Sequence, residues 1–167
     1  MCRIFFSLLC CLDIGHESLR ITLPVQAKAD PPAIWSILKT DQEIVCGDSY
    51  GCVSFWDAKF GSHISSFKKH EAEVTVMRHI LQADVQYLLT SGPDASVMIF
   101  QKRAADSQWE YVHVRRLVHD INCLIVFDHA QQTTLMTGSA DCLVRYVTCH
   151  DEHIIQTFLK KRLLTLD

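Results

Sequence analysis

The chain has 167 residues, 49% of them hydrophobic and 21% charged, with a formal net charge of −3. That balance describes a globular chain and excludes a surface that grips nucleic acid all over, leaving room only for local basic patches such as Lys68-Lys69 and Lys160-Lys161-Arg162. The eight cysteines, at positions 2, 10, 11, 46, 52, 123, 142 and 149, form no C-x-x-C pair and no zinc-ribbon spacing; reduced thiols are expected, as in the cytosol or nucleus.

In chain order, Arg3 and the apolar run Ile4 to Leu12 have the outline of a signal-peptide core. The run is too short to span a bilayer, and Asp13-Ile14-Gly15-His16-Glu17 offers no small-residue cleavage site. A buried strand is the expected alternative. Further on, three segments share one pattern: Glu43-IVCGDSYGCVSFW-Asp57, Tyr87-LLTSGPDASVMIF-Gln101 and Thr134-LMTGSADCLVRYV-Thr148. Each reads as an apolar strand, a tight turn of Gly, Ser, Pro or Asp, and a second strand ending in a large apolar residue.

Val53, Val97 and Val144 take equivalent places in these segments, 44 and 47 residues apart. That period belongs to WD-type propeller blades, and a whole propeller needs more chain than this. The expected fold class is therefore all-β, a WD40-type β-propeller fragment of about three blades plus part of a preceding one. Residues 1–30 are assigned to the partial blade, 31–70, 71–119 and 120–158 to the repeats, and 159–167 to a tail. Trp56 and Phe67, Val147 and Phe158, and Leu12 and Leu23 all share an interval of eleven residues, which predicts a last strand for each unit and puts one around Ile154-Ile155. The middle repeat spans seventeen residues from Phe100 to Leu117; its extra residues, around Arg103-AADSQ-Trp109, predict a polar loop at the rim, where propellers often bind partners.

A WD blade resembles a four-stranded sheet tied by a hydrogen-bonded set of His, Ser or Thr, Asp and Trp. By that resemblance the set falls on His70, Thr90, Asp94 and Phe100 in the middle repeat and on His119, Thr137 and Asp141 in the last, with Val147 lacking the indole donor. The first repeat has Trp56 and Asp57, but Tyr50 stands where the Asp is expected and no histidine precedes it at the right place. These are structural assignments, and Asp94→Ala and Asp141→Ala are both expected to destabilise by orphaning a histidine.

Catalytic readings fare worse. Gly47-Asp48-Ser49-Tyr50-Gly51 matches G-x-S-x-G formally, yet a nucleophile elbow needs a helix after the turn and Cys52 to Trp56 reads as a strand. Cys149-His150-Asp151-Glu152-His153 offers metal-ligand residue types, but neighbours in a turn rarely converge on one tetrahedral centre, so a solvated turn is expected. No Gly-rich phosphate loop is present. The pairs Lys102-Arg103 and Arg115-Arg116 are candidate contacts to RNA or a protein partner, with Trp109 and Tyr111 too few to form a stacking platform.

Pro31-Pro32-Ala33-Ile34-Trp35-Ser36-Ile37 followed by Gly47-Asp48-Ser49-Tyr50-Gly51-Cys52-Val53-Ser54-Phe55-Trp56-Asp57 resembles the cirhin-like WD-repeat proteins of the small-subunit processome. Ser107-Gln108-Trp109, His119-Asp120 and Thr137-Gly138-Ser139-Ala140-Asp141 follow in the family's order, and Glu17 to Pro24 also fits, so the similarity covers roughly residues 12–158. The resemblance implies a nucleolar, non-enzymatic scaffold without cofactor, metal or small-molecule substrate. Its implied partners are other processome proteins and, within the ribonucleoprotein, precursor ribosomal RNA, in 18S rRNA maturation. The alternative reading is a WD-repeat adaptor of another complex, such as a ubiquitin-ligase substrate receptor. Starting in mid-blade, the chain is expected to leave open blade edges.

Overall fold

Apolar and polar side chains alternate with period two here, broken at short intervals by Gly, Asp, Ser or Pro, and that pattern favours short antiparallel strands joined by tight turns. The computed structural model describes residues 7–14, 17–23, 32–82, 84–103, 108–129, 132–149, 154–160 and 162–166. It opens with a hairpin of β1 (Ser7–Ile14) and β2 (Glu17–Leu23). The apolar N-terminal run thus contributes a strand, as expected. The first blade then holds β3 (Ile34–Lys39), β4 (Glu43–Asp48), β5 (Cys52–Asp57) and β6 (His63–Lys68). The second holds β7 (Val76–Gln82), β8 (Val85–Ser91), β9 (Ser96–Arg103) and β10 (Glu110–Arg116). The third holds β11 (Ile121–His129), β12 (Gln132–Ser139), β13 (Val144–Cys149) and β14 (Leu164–Leu166), with helix α1 (Ile154–Lys160) between the last two. In every blade the strands lie in chain order, the meander of a propeller blade.

Strand registers show how successive blades face one another. Ile44, Leu88 and Leu135 sit at one station, opposite Trp56, Phe100 and Val147. Their neighbours Val45, Leu89 and Met136, opposite Phe55, Ile99 and Tyr146, point the other way. Val45, Val53 and Phe55 share one core with Leu88, Met98 and Phe100 of the second blade, and Leu89, Val97 and Ile99 share another with Leu124, Leu135 and Val147 of the third. Each blade therefore covers the next-facing side of the one before it. The first interface is aromatic: Phe55 stacks on Trp109 at 5.1 Å and meets Phe67 and Phe100 edge-on at 5.9 and 6.1 Å. Such pairs add about 0.5–1.5 kcal/mol each beyond the burial of the rings.

The three turns between the second and third strands of the blades share a backbone as well as a sequence pattern. Gly51, Ala95 and Cys142, each two residues before the equivalent valine, have φ of 77°, 56° and 63°. Only the first is the residue that adopts this conformation without cost. A Cβ at Gly51 would also lie 2.3 Å from the His70 carbonyl oxygen, so the turn is held close under the loop leading to the next blade.

Two expectations need correction in the third blade. The segment around Ile154-Ile155 is helix α1 and not a strand. Ile154, Ile155 and Phe158 lie on one side of this short helix and are buried in the core shared with the second blade, so Phe158 keeps an interior place without the strand expected of it. The fourth strand comes instead from Leu164–Leu166, inside the segment expected as a tail, with Leu166 paired to Val144. In the middle repeat Arg115, not Leu117, stands opposite Val97, in the place that Phe67 takes opposite Val53.

Candidate functional site

The best-connected polar cluster lies between the first two blades. The loop from β6 carries His70 across to the second blade, where its ring is buried: Nδ1 lies 2.8 Å from Asp94 Oδ2 and Nε2 lies 2.7 Å from Thr90 Oγ1. The Asp94 carboxylate also accepts the Glu71 and Ser96 amides, each at 3.1 Å. Burial alone would raise the Asp94 carboxyl, but the His70 bond and charge and the two amides outweigh it and hold the group below the usual carboxylate range. Phe100, in the place of the indole donor, contributes packing only and is fully buried.

The last repeat places the same residue types differently. His119 Nε2 stands 4.0 Å from Asp141 Oδ2 and its side chain is 52% exposed, beyond hydrogen-bond reach. Thr137 is buried and donates to the Arg145 carbonyl at 3.4 Å. Asp141 instead takes both ends of the Arg145 guanidinium, at 2.5 and 3.2 Å, which holds its carboxyl far below the usual range. The first repeat has a substitute that the sequence comparison overlooked. Asp48 accepts the Tyr50 and Cys52 amides at 2.9 Å, so its carboxylate organises the turn from two residues upstream of Tyr50. Asp57 does likewise for the next turn, accepting the Lys59 and Phe60 amides. Trp56 is buried against the His63 ring, 4.9 Å away, and its indole N–H has no partner among the described residues.

A second interblade cluster was not foreseen. Glu43, at the start of β4, is buried; it receives Lys102 Nζ at 2.7 Å and the Trp109 indole N–H at 2.5 Å, both from the second blade. Trp109 therefore leaves the polar loop for the interior, while residues 104–107 lie outside the described residues. A tryptophan at the end of a polar insertion, with a carboxylate heading a strand in the previous repeat, was the available signal. No sequence separation connects the two.

This geometry divides the candidate contact residues. Lys102 is committed to Glu43. Arg115 lies over the Phe158 ring at 4.7 Å, and burial pushes its guanidinium down from its ordinary value. Both are corrected from surface contacts to interblade packing, because their strands turn them toward a neighbouring blade. Arg103 is exposed, as is Arg116, which among the described residues pairs with the equally exposed Glu71 at 3.4 Å. Ser49 sits between strands β4 and β5 and its Oγ accepts the Ala33 amide at 3.1 Å; strand follows its turn where an elbow needs a helix. Of the Cys149 to His153 run, residues 150–153 lie outside the described residues. Among the described residues no group of three or more His, Cys, Asp or Glu is placed to hold a metal, and no helix is long and apolar enough to cross a membrane.

No protein-family model matches the chain. Two solved structures share its architecture, the computationally designed proteins Ika8 and Ika4. Their TM-scores are 0.55 and 0.53 at 15% and 17% identity, over 84% and 82% of this chain and 40% and 73% of theirs. At that identity the likeness speaks for the propeller fold alone. Among curated proteins, a Schizosaccharomyces pombe relative is 28% identical over 122 residues and a Saccharomyces cerevisiae relative 30% identical over 124. Both are named U3 small nucleolar RNA-associated protein 4. The cirhin-like resemblance is thereby borne out. The matches take in 72% and 70% of this chain but only 17% and 16% of the relatives, so it spans about a sixth of the length of U3 small nucleolar RNA-associated protein 4.

Proposed function

We propose that this chain serves as a non-catalytic scaffold in ribosome biogenesis, supporting pre-18S rRNA processing within the small-subunit processome of the nucleolus. The observation that carries the reading is its similarity to the two yeast U3 small nucleolar RNA-associated proteins along more than two thirds of its length. The site geometry agrees with a scaffold. Its histidine, threonine and carboxylates bond one another and their neighbours between blades, where they hold the fold. Other processome proteins are the proposed partners, and Arg103 and Arg116 the proposed points of contact with them or with precursor RNA, since they are the members of the two basic pairs left at the surface.

Affinity purification of the tagged chain from nuclear extract, reading both proteins and RNA, tests the proposal. Processome subunits and precursor rRNA are expected. Loss of the RNA but not of the proteins as salt is raised would assign the RNA contact to the exposed arginines. A soluble chain that recovers neither, beside a longer relative that recovers both, overturns the reading.

A further inference from the structure

We propose that the connection between the second and third blades is an unlatched strap, which opens by itself while the matching connection between the first and second blades stays shut. This holds whatever complex the chain joins.

Main-chain hydrogen bonds fix which residues of the two connections correspond. In the first, the His70 amide donates to the Gly51 carbonyl at 3.2 Å and the Val74 amide to the Asp48 carbonyl at 3.0 Å. In the second, the Leu117 amide donates to the Ala95 carbonyl at 2.7 Å and the Ile121 amide to the Gly92 carbonyl at 3.2 Å. Gly51 and Ala95 are the left-handed residues of equivalent turns, and in both straps the second amide follows the first by four residues. Leu117 therefore stands where His70 stands, and of residues 117–120 it alone is not exposed. His119 lies two residues beyond the histidine place, which is why it stops short of Asp141.

The side chain at this station decides how firmly a strap is held. His70 ties the first strap to the Thr90 hydroxyl and the Asp94 carboxylate, and the Glu71 amide adds a third bond, also to Asp94. The Leu117 side chain has no polar atom; it packs in part against the core of the second and third blades. Thr137 and Asp141, which occupy the places of Thr90 and Asp94, are left to their own blade, where they bond Arg145 and the Leu143 amide. Among the described residues the second strap gains one bond in exchange, from the Ala140 amide to the Asp120 carbonyl at 3.0 Å; Pro93, which precedes Asp94 as Ala140 precedes Asp141, has no N–H to offer. The tip of the strap is already in solvent, with Val118 78% exposed and the His119 side chain 52%, so lifting it uncovers little more than Leu117. A segment with few side-chain bonds and few buried contacts opens at a lower free energy than its surroundings.

Native-state hydrogen exchange of the full chain, followed amide by amide by NMR, is the test. After correction for intrinsic rates, the Leu117 and Ile121 amides should exchange at least about tenfold faster than the His70 and Val74 amides, although the Leu117 bond is the shortest of the four. His70→Leu should speed Val74 at least about tenfold and leave Ile121 as it was. Leu117→His supplies the missing ring and should slow Ile121, a gain that adding Asp141→Ala cancels. Leu117 and Ile121 amides protected as well as those of His70 and Val74 overturn the proposal. So does a His70→Leu chain with Val74 unchanged, or a folded Leu117→His chain in which Ile121 is no slower. The wild-type comparison decides the matter even if a variant fails to fold.

Discussion

Asp94→Ala removes the carboxylate that His70 meets at 2.8 Å and that the Glu71 and Ser96 amides reach at 3.1 Å. The His70 side chain is 0% exposed, so water cannot take the vacated place. A hydrogen bond to a charged group contributes about 1.5–3 kcal/mol, and a stranded buried donor keeps the cost within that range. For a domain of this size each kcal/mol lowers Tm by about 2–4 °C, so a fall of about 3–12 °C is expected in thermal melting followed by circular dichroism. Asp141→Ala is the comparison that makes the reasoning falsifiable. The sequence suggested that each change would orphan a histidine, but His119 is half-exposed and 4.0 Å away, so Asp141→Ala loses chiefly the Arg145 pair at a turn that solvent reaches. Its Tm should fall clearly less. Equal falls, or a larger one for Asp141→Ala, would refute the account of burial as the deciding factor.

Four further outcomes follow, the first from the same carboxylate. Because Asp94 is depressed in the folded chain, its stabilising contribution is fully present above the unfolded value of about 3.9 and is lost as pH falls through the lower folded value; Asp94→Asn should flatten that part of the acid-unfolding curve, and an unchanged curve would count against it. Trp109→Phe keeps the stack on Phe55 but removes the donor to Glu43, so urea unfolding should show a loss of about 1.5–3 kcal/mol; combined with Glu43→Gln the losses should fall short of additive by at least about 0.5 kcal/mol. Ala95→Gly should raise stability by about 0.5–1 kcal/mol, since relief of left-handed strain exceeds the added chain entropy. Gly51→Ala should lower it by more than about 1 kcal/mol in the same melting assay, given the added clash with the His70 carbonyl.

The repeat of the Val53, Val97 and Val144 segments was legible because a strand's side chains alternate locally and a tight turn needs particular residues. Those local rules placed the paired middle strands of all three blades within the observed elements. The His70, Thr90 and Asp94 set was legible for a different reason, as residue types at family spacings, and the structure brings those atoms within hydrogen-bond distance. Elsewhere the same reasoning went astray. Phe158 was placed by its interval from Val147, but an interior position can be reached from a helix as well as from a strand, and spacing alone does not distinguish them.

Lys102 and Arg115 read as surface charges because a sequence shows a residue's neighbours along the chain and not across it. Their fate depended on Glu43 and Phe158, 59 residues before the one and on a separate element beyond the other. The pairing of β10 with β9 decided which side of the blade Arg115 would take. What the sequence determined by itself was the blade: its period, its turns and its alternating faces, all set by forces acting within a few residues. What only the tertiary structure decided was the use of each polar group, since whether a charge meets solvent or a buried partner depends on which blade is packed against it.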